Sequence, residues 1–230
     1  MTDEVDFFAA WRLVLGPLVD RQHVLGLVEG LDGSGALARL TDPVRRDDLG
    51  EALGTTKGTA AAVAHALLLH EVLEESDGRL RLTAPWRALV ADTAVVRLAD
   101  CLASARLEAR LLRSVGAGDY WTMETADRIL LARSVSPDPF ADGVVADLRR
   151  AIETDPLRRD LLEPGCRLLE LGCGVAGRIL TMLRAVPTLT AVGVELSPGL
   201  AAEAVRRAAA LGLDHRFSVV CADAAAYRTD

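Results

Sequence analysis

Cys166-Arg167-Leu168-Leu169-Glu170-Leu171-Gly172-Cys173-Gly174-Val175-Ala176-Gly177 decides the fold. It opens as a short apolar run of the kind that fills a buried parallel strand. It closes in a glycine-rich turn. Arg178 to Val186 then reads as a helix, with Ile179, Leu180, Leu183 and Val186 on one side and Pro187 after it. Leu189 to Val194 is a second buried strand, ending at Glu195. Pro198 to Leu211 is a second helix, stopped by Gly212. Phe217 to Cys221 is a third strand, followed by Ala222-Asp223. Strand, helix, strand, helix, strand is one half of a doubly wound sheet. The predicted class is therefore α/β, Rossmann-like and partial, with the first three parallel strands present.

Each special residue has a physical reason. A glycine turn between strand and helix brings backbone close to a ligand without Cβ clashes. It also aims a helix N-terminus at the ligand's polar end. An acid at the end of the second strand can accept two hydrogen bonds from a ribose diol. Glu195 lies 23 residues after Gly172 (195 − 172), close to the roughly 20 expected of that role. An Asp just past the third strand can accept from the exocyclic amine of adenine. Gly-x-Gly-x-x-Gly alone is shared with NAD and FAD proteins. Glu170, two residues before the first glycine, separates the possibilities. Nicotinamide-binding strands usually run apolar into that glycine, whereas S-adenosylmethionine carries an α-ammonium and a sulfonium that an acid can pair with.

Leu168 to Gly177 resembles motif I of class I S-adenosylmethionine-dependent methyltransferases. Val192-Gly193-Val194-Glu195-Leu196-Ser197 resembles the acidic motif that follows, and Val220-Cys221-Ala222-Asp223-Ala224 the adenine-contacting motif. The resemblance covers about Cys166 to Tyr227. It implies that Glu170, Gly172 and Gly174, with Cys173 between them, hold the methionine end of S-adenosyl-L-methionine. It implies that Glu195, followed by Leu196, takes the ribose hydroxyls, and that Asp223 and Ala224 lie at the adenine. One position departs from the family's commonest Gly-x-Gly-x-Gly pattern: Ala176 holds the third place. Alanine is small, so its side chain is expected to fit.

Upstream, Val5 to Val19 and Val24 to Leu31 read as two helices, the second ended by Gly30, Gly33 and Gly35, with a third element from Gly35 to Leu40. Asp47 to Gly54 is a short helix, Thr55 to Gly58 a turn, and Thr59 to Leu73 a long Ala- and Leu-rich helix. Asp77-Gly78 is a hairpin turn signal between alternating residues. Helix, turn, helix, hairpin is a winged helix-turn-helix order. Between Thr56 and Leu73 the fixed charges are Lys57 and Glu71 alone, which is poor equipment for reading DNA. The helix is apolar nearly all round, as a buried or interface helix would be. His65 and His70 fall on different helix faces, so they read as solvated or core residues. Ala94 to Val115 reads as a long helix broken by Gly116 and Gly118. Tyr120-Trp121 opens another, to about Ser134. Phe140 to Thr154 is a third, after Pro137 and Pro139, with a short segment to Leu162. Arg149, Arg150, Arg158 and Arg159 read as a solvated face.

This N-terminal half resembles the winged-helix-like dimerisation domains that precede the catalytic domain in many small-molecule O-methyltransferases, including those of bacterial natural-product pathways. The resemblance implies a homodimer through the N-terminal helices. The expected organisation is residues 1–93 as a mostly α, winged-helix-like domain, 94–163 as a helical bridge and 164–230 as an incomplete Rossmann-like domain.

Composition narrows the classes further. The 230 residues carry 26 Lys plus Arg against 33 Asp plus Glu, a formal charge of −7. Such a chain is not built to coat nucleic acid or an anionic membrane. No apolar run reaches the roughly 20 residues that span a bilayer. Met-Thr-Asp-Glu-Val-Asp at the start lacks the basic character of a signal peptide, so a soluble, cytoplasmic protein is expected. Cys101, Cys166, Cys173 and Cys221 form no Cys-x-x-Cys pair. No metal site is expected, and the thiols read as buried and free in a reducing compartment.

The expected function is therefore methyl transfer from S-adenosylmethionine to a small molecule, with oxygen as the favoured acceptor atom in a secondary-metabolite pathway. The alternatives are a non-catalytic S-adenosylmethionine-binding or winged-helix regulatory protein and, third, an NAD-dependent oxidoreductase, against which Glu170 argues. The sequence stops at Asp230, soon after the third strand, which leaves that strand beside unfinished sheet. A fragment of a longer enzyme is the favoured explanation, over a half completed by another chain or a truncated relative. The catalytic residues are unknown, and Tyr120, Trp121 and the bridging helices are candidates to line an acceptor pocket by analogy.

Overall fold

A computed structural model describes residues 16–113, 120–156 and 158–228. The chain divides at Val90 into two compact units, each with its own contacts.

The first unit is helical with a small sheet. Helix α1 spans Gly16–Gly33 and α2 Ala36–Arg39. The expected break between Val19 and Val24 is absent: one helix runs through it, with Gly26 and Gly30 inside. Most of the expected helix Val5–Val19 lies outside the described residues. Strand β1 is Val44–Arg45, followed by a 3₁₀ turn at Arg46–Asp48 and helix α3, Leu49–Leu53. Gly54 ends α3 in the left-handed conformation, at φ 66°. Helix α4, Lys57–Leu69, is capped by the Thr56 hydroxyl, which accepts from the Thr59 N–H at 3.2 Å. It stops four residues before the expected end at Leu73. Glu71 takes a positive φ of 56°, and Leu73 pairs with Leu82 in a strand. Nor is α4 covered all round. Ala60, Ala64 and Leu67, spaced i, i+4, i+7, are buried, while Ala61, Ala62, His65 and Leu69 are exposed.

Strands β2, Leu73–Ser76, and β3, Arg79–Leu82, form the expected hairpin. Asp77 and Gly78, with φ of 51° and 69°, supply the two left-handed residues of a type I′ turn. Leu80 and Leu82 are buried and Arg79 and Arg81 exposed. The two-residue β1 adds to β3, giving antiparallel order β1-β3-β2. Helix α5, Ala84–Val90, follows.

The second unit opens with α6, Leu98–Arg113, which begins four residues after the expected Ala94. The Ala94 N–H closes a turn on the Ala91 carbonyl, and the Val95 carbonyl accepts from the Asp138 N–H at 2.8 Å, so neither enters a helix. The expected break at Gly116 and Gly118 lies outside the described residues. Tyr120–Thr122 is a separate 3₁₀ turn rather than the start of α7, which spans Thr125–Ser134. Helix α8 starts at Asp142, not Phe140, and ends at Thr154. The Phe140 N–H is held by the Asp138 side chain, which keeps that residue out of the helix.

Beyond a 3₁₀ turn at Arg159–Leu162, strand β4 (Arg167–Leu171), helix α9 (Gly177–Ala185), strand β5 (Thr190–Glu195), helix α10 (Pro198–Ala210) and strand β6 (Phe217–Cys221) complete the predicted βαβαβ. The sheet is parallel, in order β4-β5-β6. Leu169 pairs with Val192, and Val194 pairs with both Leu171 and Val220. The open edge is thus not confined to the third strand. Among the described residues β4 and β6 each pair with β5 alone, and Leu169 and Leu171 of β4 are exposed. Ile152 of α8, Ile179, Leu180 and Leu183 of α9, Ala204 and Ala208 of α10, and Phe217 share one core. Arg149 is more than a solvated residue. Its guanidinium donates to the Ala185 and Arg184 carbonyls at 3.0 and 3.2 Å, closing the C-terminus of α9. Arg150 and Arg158 make surface pairs with Asp147 and Asp155.

The four thiols are unpaired, but Cys173 alone is buried: Cys166 is half-buried, and Cys101 and Cys221 are exposed. Among the described residues no helix is long and apolar enough to cross a membrane, and no cluster of His, Cys, Asp or Glu could hold a metal ion.

Candidate functional site

The turn from β4 to α9 is the most constrained backbone of the second unit. Gly172, Gly174 and Ala176 all have positive φ, at 69°, 55° and 57°. Glycine adopts this region freely, whereas alanine there costs roughly 1–2 kcal/mol. Ala176 fits by size, being fully buried, but its backbone is strained. The next residue, Gly177, is required by space. A Cβ there would lie 2.5 Å from Ser136 Oγ and 2.6 Å from the Pro137 carbonyl oxygen.

Three groups hold the turn in place. The Gly172 and Cys173 N–H groups both donate to the Val194 carbonyl of β5, at 2.8 and 3.0 Å. Glu195 is 7% exposed. Its Oε2 accepts from the Gly174 N–H at 2.9 Å and its Oε1 from the Ser197 N–H at 2.8 Å. It therefore joins the glycine turn to the start of α10, and each oxygen keeps further acceptor capacity. Behind the turn, the buried Arg207 of α10 donates to the Val175 carbonyl at 2.8 Å, lies 3.7 Å from Asp138, and sits over the Phe140 ring. In the sequence this arginine is marked only by being a charge inside an alanine-rich helix.

Glu170 sits at the mouth of the turn. Its Oε1 is 3.9 Å from Arg178, and its Oε2 is buried with no hydrogen-bond partner. Burial pushes the carboxyl above the ordinary carboxylate range, and Arg178 and the Ile179 backbone N–H draw it partly back. Cys173 fills the space beside Gly193, where a Cβ would come within 2.6 Å of its sulfur. Burial, with Glu195 and Glu170 nearby, pushes that thiol up to about 12. It is a packing group and not a nucleophile.

A cavity of about 420 Å³ is lined by Glu170, Gly172, Cys173, Gly174, Val175, Gly177, Arg178 and Glu195. Its remaining wall comes from Glu108 of α6, Tyr120, Leu131, Ala132 and Ser134 of α7, Val135, Ser136, Pro137 and Leu200. The size suits a nucleoside-sized ligand. Five of the eight residues singled out from the sequence for cofactor binding line it: Glu170, Gly172, Cys173, Gly174 and Glu195. Leu196, Asp223 and Ala224 do not. Leu196 is exposed, and Asp223 is exposed with Oδ1 accepting from the Ala225 N–H. Of the aromatic pair, Tyr120 lines the cavity, and Trp121 stacks edge-on against it at 5.3 Å. Burial and Glu195 raise the Tyr120 phenol. Glu108 was not legible as a site residue, because only the fold brings α6 to the glycine turn. Three carboxylates and a single arginine thus face the cavity, a lining suited to a ligand with positive charge.

No protein-family model matches the chain. A release factor glutamine methyltransferase of Rhodospirillum rubrum is 28% identical over 196 residues, covering 74% of this chain and 56% of that protein. The chain thus spans little more than half the length of this curated relative. Among solved structures, a protein of Nostoc punctiforme PCC 73102 assigned as an O-methyltransferase superposes with a TM-score of 0.60 at 13% identity, covering 96% of this chain and 67% of that one. The S-adenosylmethionine-dependent methyltransferase SibL gives 0.52 at 18% identity, with 91% and 65% covered. The mitomycin 7-O-methyltransferase MmcR gives 0.51 at 16% identity, with 94% and 66% covered. Glycine turn, parallel βαβαβ and these likenesses agree: the chain has the class I fold of the S-adenosylmethionine-dependent methyltransferases.

Proposed function

We propose that this chain binds S-adenosyl-L-methionine and serves a methyltransferase acting on a small molecule, with oxygen as the acceptor atom. The observation that carries the reading is Glu170: a buried carboxylate oxygen without a partner, beside a glycine turn, in a cavity with two further acids. An orphaned acceptor of that kind is costly unless a cation meets it. The α-ammonium of the cofactor's methionine end fits that requirement, and nicotinamide dinucleotides offer nothing equivalent there.

When bound, the cofactor supplies a methyl group activated by a sulfonium. The chain's own residues would hold and orient it. Glu170 pairs with the ammonium. Gly172 and Gly174 give the methionine end close backbone approach. Glu195, already fixed by two N–H groups, offers its remaining lone pairs to the ribose hydroxyls. Leu196, next to Glu195, serves the ribose end and Asp223 and Ala224 the adenine end, all from outside the present cavity, as the motif resemblance implies. Tyr120, Leu131 and Val135 give the same cavity an apolar wall on which an aromatic acceptor can lie.

The first unit is proposed as a winged-helix-like dimerisation module, supported by helix α3, helix α4 and the β2–β3 hairpin in that order. Leu25 of α1 and Leu69 of α4 are exposed apolar residues suited to a second copy, and nucleic acid is not the proposed partner. A neighbour named as a mitomycin 7-O-methyltransferase supports a secondary-metabolite setting.

The test is calorimetric titration with S-adenosylhomocysteine and with NADH. Micromolar binding of the first alone supports the reading. Binding of NADH alone replaces it with an oxidoreductase.

A further inference from the structure

We propose that Arg178 is the carboxylate-binding residue of the site, so that Glu170 and Arg178 together recognise the zwitterionic amino-acid end of the ligand. The inference rests on the S-adenosylmethionine reading above and deepens it.

The cavity is lined by Glu108, Glu170 and Glu195. A ligand carboxylate entering it meets three like charges, and binding there requires a cation on the wall. Arg178 is the single cation among the lining residues. Its place follows from the fold. Helix α9 starts at Gly177, which puts Arg178 in the first turn, directly beyond the glycine residues.

The present partner of Arg178 is a loose one. Its Nε lies 3.9 Å from Glu170 Oε1, an ion-pair separation but beyond hydrogen-bond range. The other Glu170 oxygen is buried and unpartnered. The two side chains therefore stand side by side with unused capacity: an acceptor on one and a donor fork on the other. An α-amino acid presents the complement, a cationic donor and an anionic two-oxygen acceptor on one carbon. Ammonium on Glu170 and carboxylate on Arg178 satisfy both residues at once. A guanidinium suits the second task because its planar fork meets both carboxylate oxygens. The Arg178 side chain is 77% exposed, so it can turn toward the ligand without repacking the core.

Two probes separate this role from others. S-adenosylhomocysteine carries the amino-acid end; 5′-methylthioadenosine is the same nucleoside thioether without it. Calorimetry of the wild-type chain, Arg178→Met and Arg178→Lys is run with both ligands. Thermal unfolding of each chain reports on the fold. The proposal requires that Arg178→Met weakens S-adenosylhomocysteine by about 10- to 100-fold, the value of a charge-assisted fork. It requires unchanged methylthioadenosine affinity and partial recovery with Lys. Unchanged S-adenosylhomocysteine affinity in Arg178→Met overturns it, as does an equal loss for both ligands. A folded wild-type chain that binds neither ligand overturns the cofactor reading itself, and the carboxylate role with it.

Discussion

The hairpin of the first unit and the glycine turn of the second treat charge in opposite ways. Around the hairpin, Arg46 meets Glu75 at 2.6 Å, Arg81 meets Glu74 at 2.6 Å, and Lys57 meets Asp47 at 3.0 Å, all on exposed side chains. Hydrogen bonds from Arg87 and then Arg81 lower the Glu74 carboxyl, as those from Arg46 and Lys57 lower Glu75 and Asp47. Such pairs are satisfied by solvent as readily as by each other. At the turn, Glu195 is buried with both oxygens engaged, and Glu170 is raised with one oxygen idle. A buried carboxylate oxygen without a partner is costly, and such groups concentrate at functional sites.

The largest effect is expected from destroying the turn while sparing the charges. Gly177→Val places side-chain atoms into Ser136 and Pro137. It should cost about 2–3 kcal/mol of unfolding free energy, measured by urea denaturation; a loss below ~0.5 kcal/mol would show that the 136–137 segment yields. Next comes Glu195→Ala, which strands the Gly174 and Ser197 N–H groups. Its expected cost is about 1–3 kcal/mol, together with loss of detectable S-adenosylhomocysteine binding. Retained binding would remove Glu195 from the site.

Glu170→Gln is expected to act on ligand and fold with opposite signs. Because the folded carboxyl lies above its ordinary value of 4.5, the stability contributed by protonated Glu170 is present below that value. It is lost as pH rises through the raised value. At pH 7 the neutral glutamine should therefore leave the ligand-free chain no less stable, as thermal unfolding would register. S-adenosylhomocysteine affinity should fall about tenfold. In the wild type, affinity should decline on acidification from above pH 4.5, and in the variant this step should be missing. An identical pH profile in both chains would discard Glu170 as the ammonium partner. The smallest effect is expected at the hairpin side of the comparison. Lys57→Ala should leave the unfolding midpoint within experimental error, since both partners of its pair are about four-fifths exposed. A clear drop would mean that the surface charges of the first unit matter after all.

Much of the second unit was legible because its strands are short apolar runs bounded by glycine and proline, and its helices carry one apolar side. Phe217–Cys221 matches the expected strand residue for residue. What escaped depends on contacts distant in sequence. The true start of α8 is set by Asp138, which draws in the Phe140 N–H while its own N–H caps the Val95 carbonyl. Strand β1 is two residues long and exists only through β3. The strain at Ala176 is a backbone property that side-chain size cannot reveal. In the site, the motif residues announced themselves by type and spacing. Arg178, Arg207 and Glu108 did not, since arginine and glutamate in helices are ordinarily surface residues.

The central place of β5 bears on how the sheet assembles and breathes. Both neighbours hydrogen-bond to it, and the two ladders link segments that follow one another closely along the chain. Each strand can therefore add to the preceding one once the single helix between them has formed. Freeing β5, by contrast, requires both of its ladders to part. Its amide protons should be among the last to exchange with deuterated solvent, and those of β4 and β6 should leave earlier.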